Sequence, residues 1–156
     1  MRMRLANDQL EKLEPALAKA GSKEIGGQLF GEQLAPSDFL ITNVAIQARR
    51  GSFARFMVDL VEAGRNALRF FDRTQHQYKN FNYIGEWHSD PSFEVKPSPK
   101  DVEAMVNLVT DPAFKGSFAI LMIVRLDRDD VSIGAWLFDP QGTARAIDLE
   151  TGSGSN

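Results

Sequence analysis

The chain has 156 residues, two histidines and no cysteine. At this length one domain is expected, and the lack of cysteine excludes disulfides, thiolate zinc sites, iron–sulfur clusters and a cysteine nucleophile. The 18 basic and 21 acidic residues leave a net charge of −3, which argues against a duplex-coating protein, and no apolar run reaches the ~20 residues of a membrane span. Neither nucleic acid nor a membrane is therefore expected as a partner. Met1-Arg2-Met3-Arg4 is basic, but no apolar core with a small-residue cleavage site follows. The expectation is a cytoplasmic protein without a signal peptide.

The first predicted element is a helix with Asn7 as N-cap, Asp8 and Glu11 in its first turn, and Leu10, Leu13 and Leu17 on one face. Gly21 supplies its stop, and Pro15 predicts a kink or local break. Glu24 to Leu34 reads as a strand whose Gly26, Gly27 and Gly31 allow close packing. Asp38 to Ala48 alternates as a second strand after the turn Ala35-Pro36-Ser37. Phe53 to Val58 suggests another strand, and Leu60 to Tyr78 a long helix. Tyr83 to His88 is an aromatic-rich strand, followed by a loop with Pro91, Pro97 and Pro99. Asp101 to Val109 is helical, with Val102, Met105, Val106 and Val109 inward. Ser117 to Leu126 and Val131 to Phe138 form a hairpin-like pair, Asp139-Pro140-Gln141-Gly142 is a turn, and Ala144 to Leu149 is a last strand. The whole reads as one α+β domain over residues 1–151, with 152–156 as a flexible tail or appended linker.

Chemistry concentrates in Gly85-Glu86-Trp87-His88-Ser89-Asp90-Pro91, Ser98 and Asp101. His88 and Asp90 are two apart at a strand end and share a side of it. Asp101 begins the next helix, from which it can fold back toward them. One imidazole and two carboxylates make three metal ligands, with a fourth position left for water. Ser98 can donate a hydrogen bond into the same space, and Glu24 is a distant carboxylate able to act as a base. Taken singly, each has an ordinary role: Asp90-Pro91 is a turn dipeptide, and Ser98 with Asp101 is a capping arrangement. Among the other residues, His76 reads as a solvated helix-end residue, Trp87 as core, Arg49-Arg50 as a loop charge pair and Phe70-Phe71 as a helix anchor.

In combination these residues resemble the JAB1/MPN/Mov34 metalloenzyme family, whose zinc motif is called JAMM. That motif is an upstream glutamate, His-x-His-Pro, then a serine and an aspartate three residues apart. Glu24-Ile25-Gly26-Gly27-Gln28-Leu29-Phe30-Gly31 is similar to the upstream element. Trp87-His88-Ser89-Asp90-Pro91 with Ser98 and Asp101 is similar to the downstream one, and Tyr83 to His88 resembles the bacterial branch. The resemblance implies a three-layer fold of the cytidine-deaminase-like kind, with a mixed central β-sheet flanked by helices. It also implies a zinc isopeptidase or peptidase that releases ubiquitin-like proteins from conjugates. Under it, His88, Asp90 and Asp101 hold zinc, Glu24 is the general base and Ser98 stabilises the oxyanion. The implied partners are a ubiquitin-like protein or its conjugate. Bacterial relatives are often encoded beside E1-like and E2-like proteins, including in antiphage defence systems.

One position departs from the motif: Asp90 stands where the family has its second histidine. Two histidines and an aspartate leave zinc a net +1, whereas His88, Asp90 and Asp101 would leave it neutral and a weaker Lewis acid. Asp90 is compatible with a working ligand, a natural loss of activity or an engineered change. The competing expectations are a metal-free MPN-like binding module for a ubiquitin-like partner and, against the acidic net charge, a DNA-associated relative with a similar histidine signature.

Overall fold

The computed structural model describes residues 1–48, 82–91, 94–114, 116–128 and 130–151. The expected strand Phe53–Val58, the helix Leu60–Tyr78 with His76, the pairs Arg49-Arg50 and Phe70-Phe71, and the tail 152–156 lie outside these residues. Among the described residues there are nine strands and two helices. In chain order they are β1 (Arg2–Leu5), α1 (Asn7–Ala20), β2 (Ile25–Ala35), β3 (Asp38–Val44), β4 (Gln47–Ala48) and β5 (Asn82–Ser89), then α2 (Pro99–Val109), β6 (Ala119–Asp127), β7 (Asp130–Phe138), β8 (Ala144–Ile147) and β9 (Leu149–Thr151).

The strands form one mixed sheet in the order β8-β7-β6-β5-β2-β3-β1-β9, with β4 on β2. β5 and β6 are parallel and joined through α2, while β6 pairs antiparallel with β7 and β2 with both β3 and β5. Strands β8 and β9 occupy opposite ends of this order, yet only Asp148 separates them in sequence. The sheet therefore curls until its ends almost meet. The expected mixed sheet flanked by helices is present, in a nearly closed form.

β6 explains the layering. Its apolar run Ala119–Val124 is fully buried, as expected of a strand covered on both faces. Side chains alternate across a strand, so Ile120, Met122 and Val124 join Leu13 and Leu17 of α1 in one cluster. Ala119, Leu121 and Ile123 join Met105, Leu108 and Val109 of α2 in another. The two helices thus cover opposite faces of the sheet. α1 also closes the end of β3: Gln9 Oε1 accepts from Val44 N at 2.8 Å, and Lys12 Nζ donates to Val44 O at 2.8 Å.

Several local expectations need correction. Asn7 is the first helical residue, and Ala6 is the N-cap without a side-chain bond. Pro15 does not break α1; it is exposed, and so is Glu11, whose carbonyl loses the i→i−4 donor that a proline cannot supply. Gly21 does end the helix, at φ 60°, with its N–H on Leu17 O. The expected strand Asp38–Ala48 stops at Val44, and two residues then rejoin the sheet as β4 against β2. Trp87 is core, as expected, and its Nε1 donates to Ala45 O at 2.6 Å, pinning this crossover.

Candidate metal site at the end of strand β5

The face of β5 that meets α2 is set by a bulge. Leu29 pairs with Gly85 and Phe30 with Tyr83, leaving Ile84 as the extra residue. Ile84 and Trp87 consequently face the α1 cluster, whereas Tyr83 packs with the α2 cluster. Glu86 joins Tyr83 on that side, accepting from its hydroxyl at 2.5 Å. His88, two residues further on, emerges on the same side beside α2. Without the bulge Tyr83 and Glu86 would point to opposite faces of the sheet.

The proline-rich loop brings α2 back over this face. Gly134 of β7 has no side chain to obstruct it: a Cβ there would stand 2.3 Å from Val95 O. Ser98 then caps α2, accepting from Asp101 N at 3.1 Å, while Asp101 Oδ2 accepts from Ser98 N at 2.8 Å. This reciprocal capping box, with Pro99 at the first helical position, fixes the Asp101 carboxylate. His88 Nε2 lies 3.3 Å from Asp101 Oδ2, and His88 Nδ1 lies 3.2 Å from Ser89 O. Both residues are buried, and Asp101 Oδ1 has no hydrogen-bond partner among the described residues.

His88 thus faces two acceptors. A neutral imidazole carries one N–H and can donate to only one of them. If Nδ1–H bonds Ser89 O, the lone pair of Nε2 points at a carboxylate oxygen, which is repulsive unless a cation or a proton lies between. A backbone carbonyl on Nδ1 is also the usual outer partner of a metal-ligating histidine. The donor chemistry of His88 and Asp101 therefore fits two positions of a zinc site. It does not complete one: among the described residues no three His, Asp or Glu side chains are grouped closely enough to hold a metal ion.

Asp90 is half-buried just beyond β5, and its N–H continues the parallel ladder to Val124 O at 2.9 Å. Glu24, also half-buried, immediately precedes β2. Ile25 N, the next backbone donor, bonds Ser89 Oγ at 2.9 Å, and Gly26 pairs with His88. Carrying that register two residues further sets Glu24 opposite Asp90. The structure therefore unites His88, Ser98 and Asp101, and puts Asp90 and Glu24 at the adjoining strand ends.

Glu86 was not singled out by the motif, although a carboxylate inside an otherwise aromatic and apolar strand is its own signal. It is fully buried, and burial pushes its pKa well above the ordinary 4.5, with the Tyr83 hydrogen bond opposing. The folded state consequently holds this proton at pH values where the unfolded chain has released it. Stability contributed by this group is present below about the unfolded value and falls as pH rises toward the folded one. Glu86→Gln cannot ionise and is expected to gain on the parent as pH increases. Thermal unfolding at pH 4.5 and pH 8 checks this, and parallel melting profiles would contradict it.

No protein-family model matches this chain, and no curated protein does. Solved structures are similar over nearly its full length. A solution structure of a protein from Desulfitobacterium hafniense has a TM-score of 0.60 at 16% identity, covering 97% of this chain and 93% of that one. A protein from Salinibacter ruber gives 0.57 at 20% identity, with coverage of 98% and 94%. A JAB1/MPN domain protein from Archaeoglobus fulgidus gives 0.52 at 14% identity, with coverage of 96% and 98%. Likeness at such identities speaks to architecture, and the chain has an MPN-like mixed α+β fold.

Proposed function

We propose that this chain is a JAB1/MPN-type zinc hydrolase that cuts a ubiquitin-like protein from a conjugate or processes its tail. The observation that supports this reading most is the buried approach of His88 Nε2 to Asp101 Oδ2 at 3.3 Å, at the mouth of a strand whose sequence resembles the JAMM motif. His88, Asp101 and Asp90 would hold the metal. Zinc, when bound, supplies an acidified water near neutral pH and a Lewis acid for the scissile carbonyl. Glu24 takes the proton from the attacking water and passes it to the leaving amine. Ser98 accepts from Asp101 N through a lone pair, so its hydroxyl hydrogen remains available to the carbonyl oxygen under attack. Ser89 orients the pair of strand ends: its carbonyl faces His88 Nδ1 and its hydroxyl holds Ile25 N beside Glu24.

A second reading, a metal-free module that binds the same kind of partner, is favoured by one observation. Asp101 Oδ2 already has Ser98 N and His88 Nε2 as neighbours, so hydrogen bonds alone can occupy that oxygen without metal, leaving Oδ1 as the unpartnered atom. Cleavage of a ubiquitin-like fusion by the parent and by Asp90→His separates the two. Restoring a neutral ligand returns a positive charge to the metal, so Asp90→His is expected to raise turnover on the order of tenfold or more. Binding without cleavage by either form would favour the module.

A further inference from the structure

The last rung between β2 and β5 is built differently from an ordinary antiparallel one. Asp90 N donates to Val124 O of β6, so Ser89, one residue earlier, turns its own N–H and C=O the other way, toward β2. Gly26 pairs with His88, and the register therefore sets Ile25 opposite Ser89. A regular rung would run from Ile25 N to Ser89 O. The pairing instead stops at Gly26–His88, and Ile25 N donates to Ser89 Oγ at 2.9 Å. Ser89 O faces His88 Nδ1 at 3.2 Å. A side chain has thus taken the place of its own carbonyl in the ladder. Ile25 and Ser89 are both buried, where an abandoned N–H is costly, so the carbonyl can turn to the histidine only because the hydroxyl replaces it.

We propose that the Ser89 hydroxyl is a positioning group that biases the tautomer of His88: by holding Ile25 N, it releases the Ser89 carbonyl to accept from Nδ1–H. Asp101 Oδ2, 3.3 Å from Nε2, pulls the imidazole proton the other way. The balance between the two tautomers therefore measures what the hydroxyl contributes. Without it the carbonyl returns to Ile25 N, and the proton moves to Nε2. Only the Nδ1–H form presents the Nε2 lone pair to a metal on the Asp101 side. The use of that lone pair by a metal rests on the function proposed above; the tautomer bias does not.

The test is nitrogen-15 NMR of the imidazole rings in the full, metal-free chain at mildly alkaline pH, where imidazoles are neutral. The chain has two histidines, and His76→Gln identifies the signals of His88. The parent is expected to populate the Nδ1–H form, and Ser89→Ala to lose most of it to Nε2–H. Ser89→Thr keeps the hydroxyl, and Ser89 lines a cavity of about 250 Å³ that has room for the added methyl, so the parent ratio is expected to return. Ser89→Cys, a weak acceptor of nearly the same shape, is expected to fall between parent and alanine, and it reports even if the alanine variant fails to fold. A parent wholly in the Nε2–H form, or one tautomer ratio shared by parent, alanine and cysteine forms, would overturn the proposal. In zinc titrations Ser89→Ala is expected to bind about tenfold more weakly than the parent, and Ser89→Thr as tightly. The tautomer is read without metal, so a parent that binds no zinc would sink the hydrolase reading alone.

Discussion

Asp101→Ala is expected to lower folding stability by about 3 kcal/mol, because one carboxylate serves two partners, the buried His88 and the half-buried Ser98 N–H. Removing it deletes the side-chain half of the α2 capping box, which is typically worth about 1 kcal/mol. It also leaves His88 Nε2, fully buried, facing a space without an acceptor, at a further cost of about 1–3 kcal/mol. Asp101→Asn keeps an oxygen for Ser98 N and is expected to lose only about 1 kcal/mol. Under the proposed function both variants also lose metal, because alanine supplies no ligand and an amide is a poor one for zinc. Urea denaturation of the three proteins measures the difference. An alanine variant as stable as the asparagine one would mean that the His88–Asp101 contact contributes nothing to the fold.

Gly85→Ala should be more damaging still. A Cβ at Gly85 would stand 1.9 Å from Ile120 O and 2.6 Å from Ile120 N. Both atoms belong to the backbone of β6, which is fixed by its parallel pairing to β5 and its antiparallel pairing to β7. No side chain can move aside to relieve the clash, so the β5–β6 register next to His88 must open. The expected loss is at least about 3 kcal/mol, or failure to fold. Gly21→Ala is the matched control: nothing lies within 4 Å of its added Cβ, and only its φ of 60° opposes the change. That backbone conformation costs about 1 kcal/mol for alanine. Comparable stabilities for the two variants, measured in the same denaturant series, would contradict the close approach.

These effects show which features could be read from the sequence. β6 was legible because a strand covered on both faces needs an uninterrupted apolar run, and Ala119–Val124 is one. The α2 cap was legible from Ser98-Pro99 and Asp101, since capping depends on neighbours in the chain. β1 was missed because Arg2–Leu5 carries too short a pattern, and its partners β3 and β9 come from distant segments. The single strand expected over Ala144–Leu149 breaks at Asp148 for the same reason: its halves pair with opposite ends of the sheet.

The site divides along similar lines. The spacing of His88 and Asp101 anticipated their meeting, because a strand end and a helix start joined by a proline-rich loop are constrained locally. The bulge at Ile84, which puts Tyr83 and Glu86 on the His88 side, depends on the partner strand β2 and left no mark beyond Gly85. No helix among the described residues is long and apolar enough to cross a membrane, in line with the hydropathy of the sequence.

In the proposed hydrolase, His88, Asp101 and Asp90 hold zinc. Zinc content per chain, measured by plasma mass spectrometry after dialysis against zinc and then against metal-free buffer, checks this. About one zinc per chain is expected in the parent, at least as much in Asp90→His, and almost none in Asp101→Asn. A parent chain that stays folded and retains no zinc, or that retains it equally after Asp101→Asn, would contradict it.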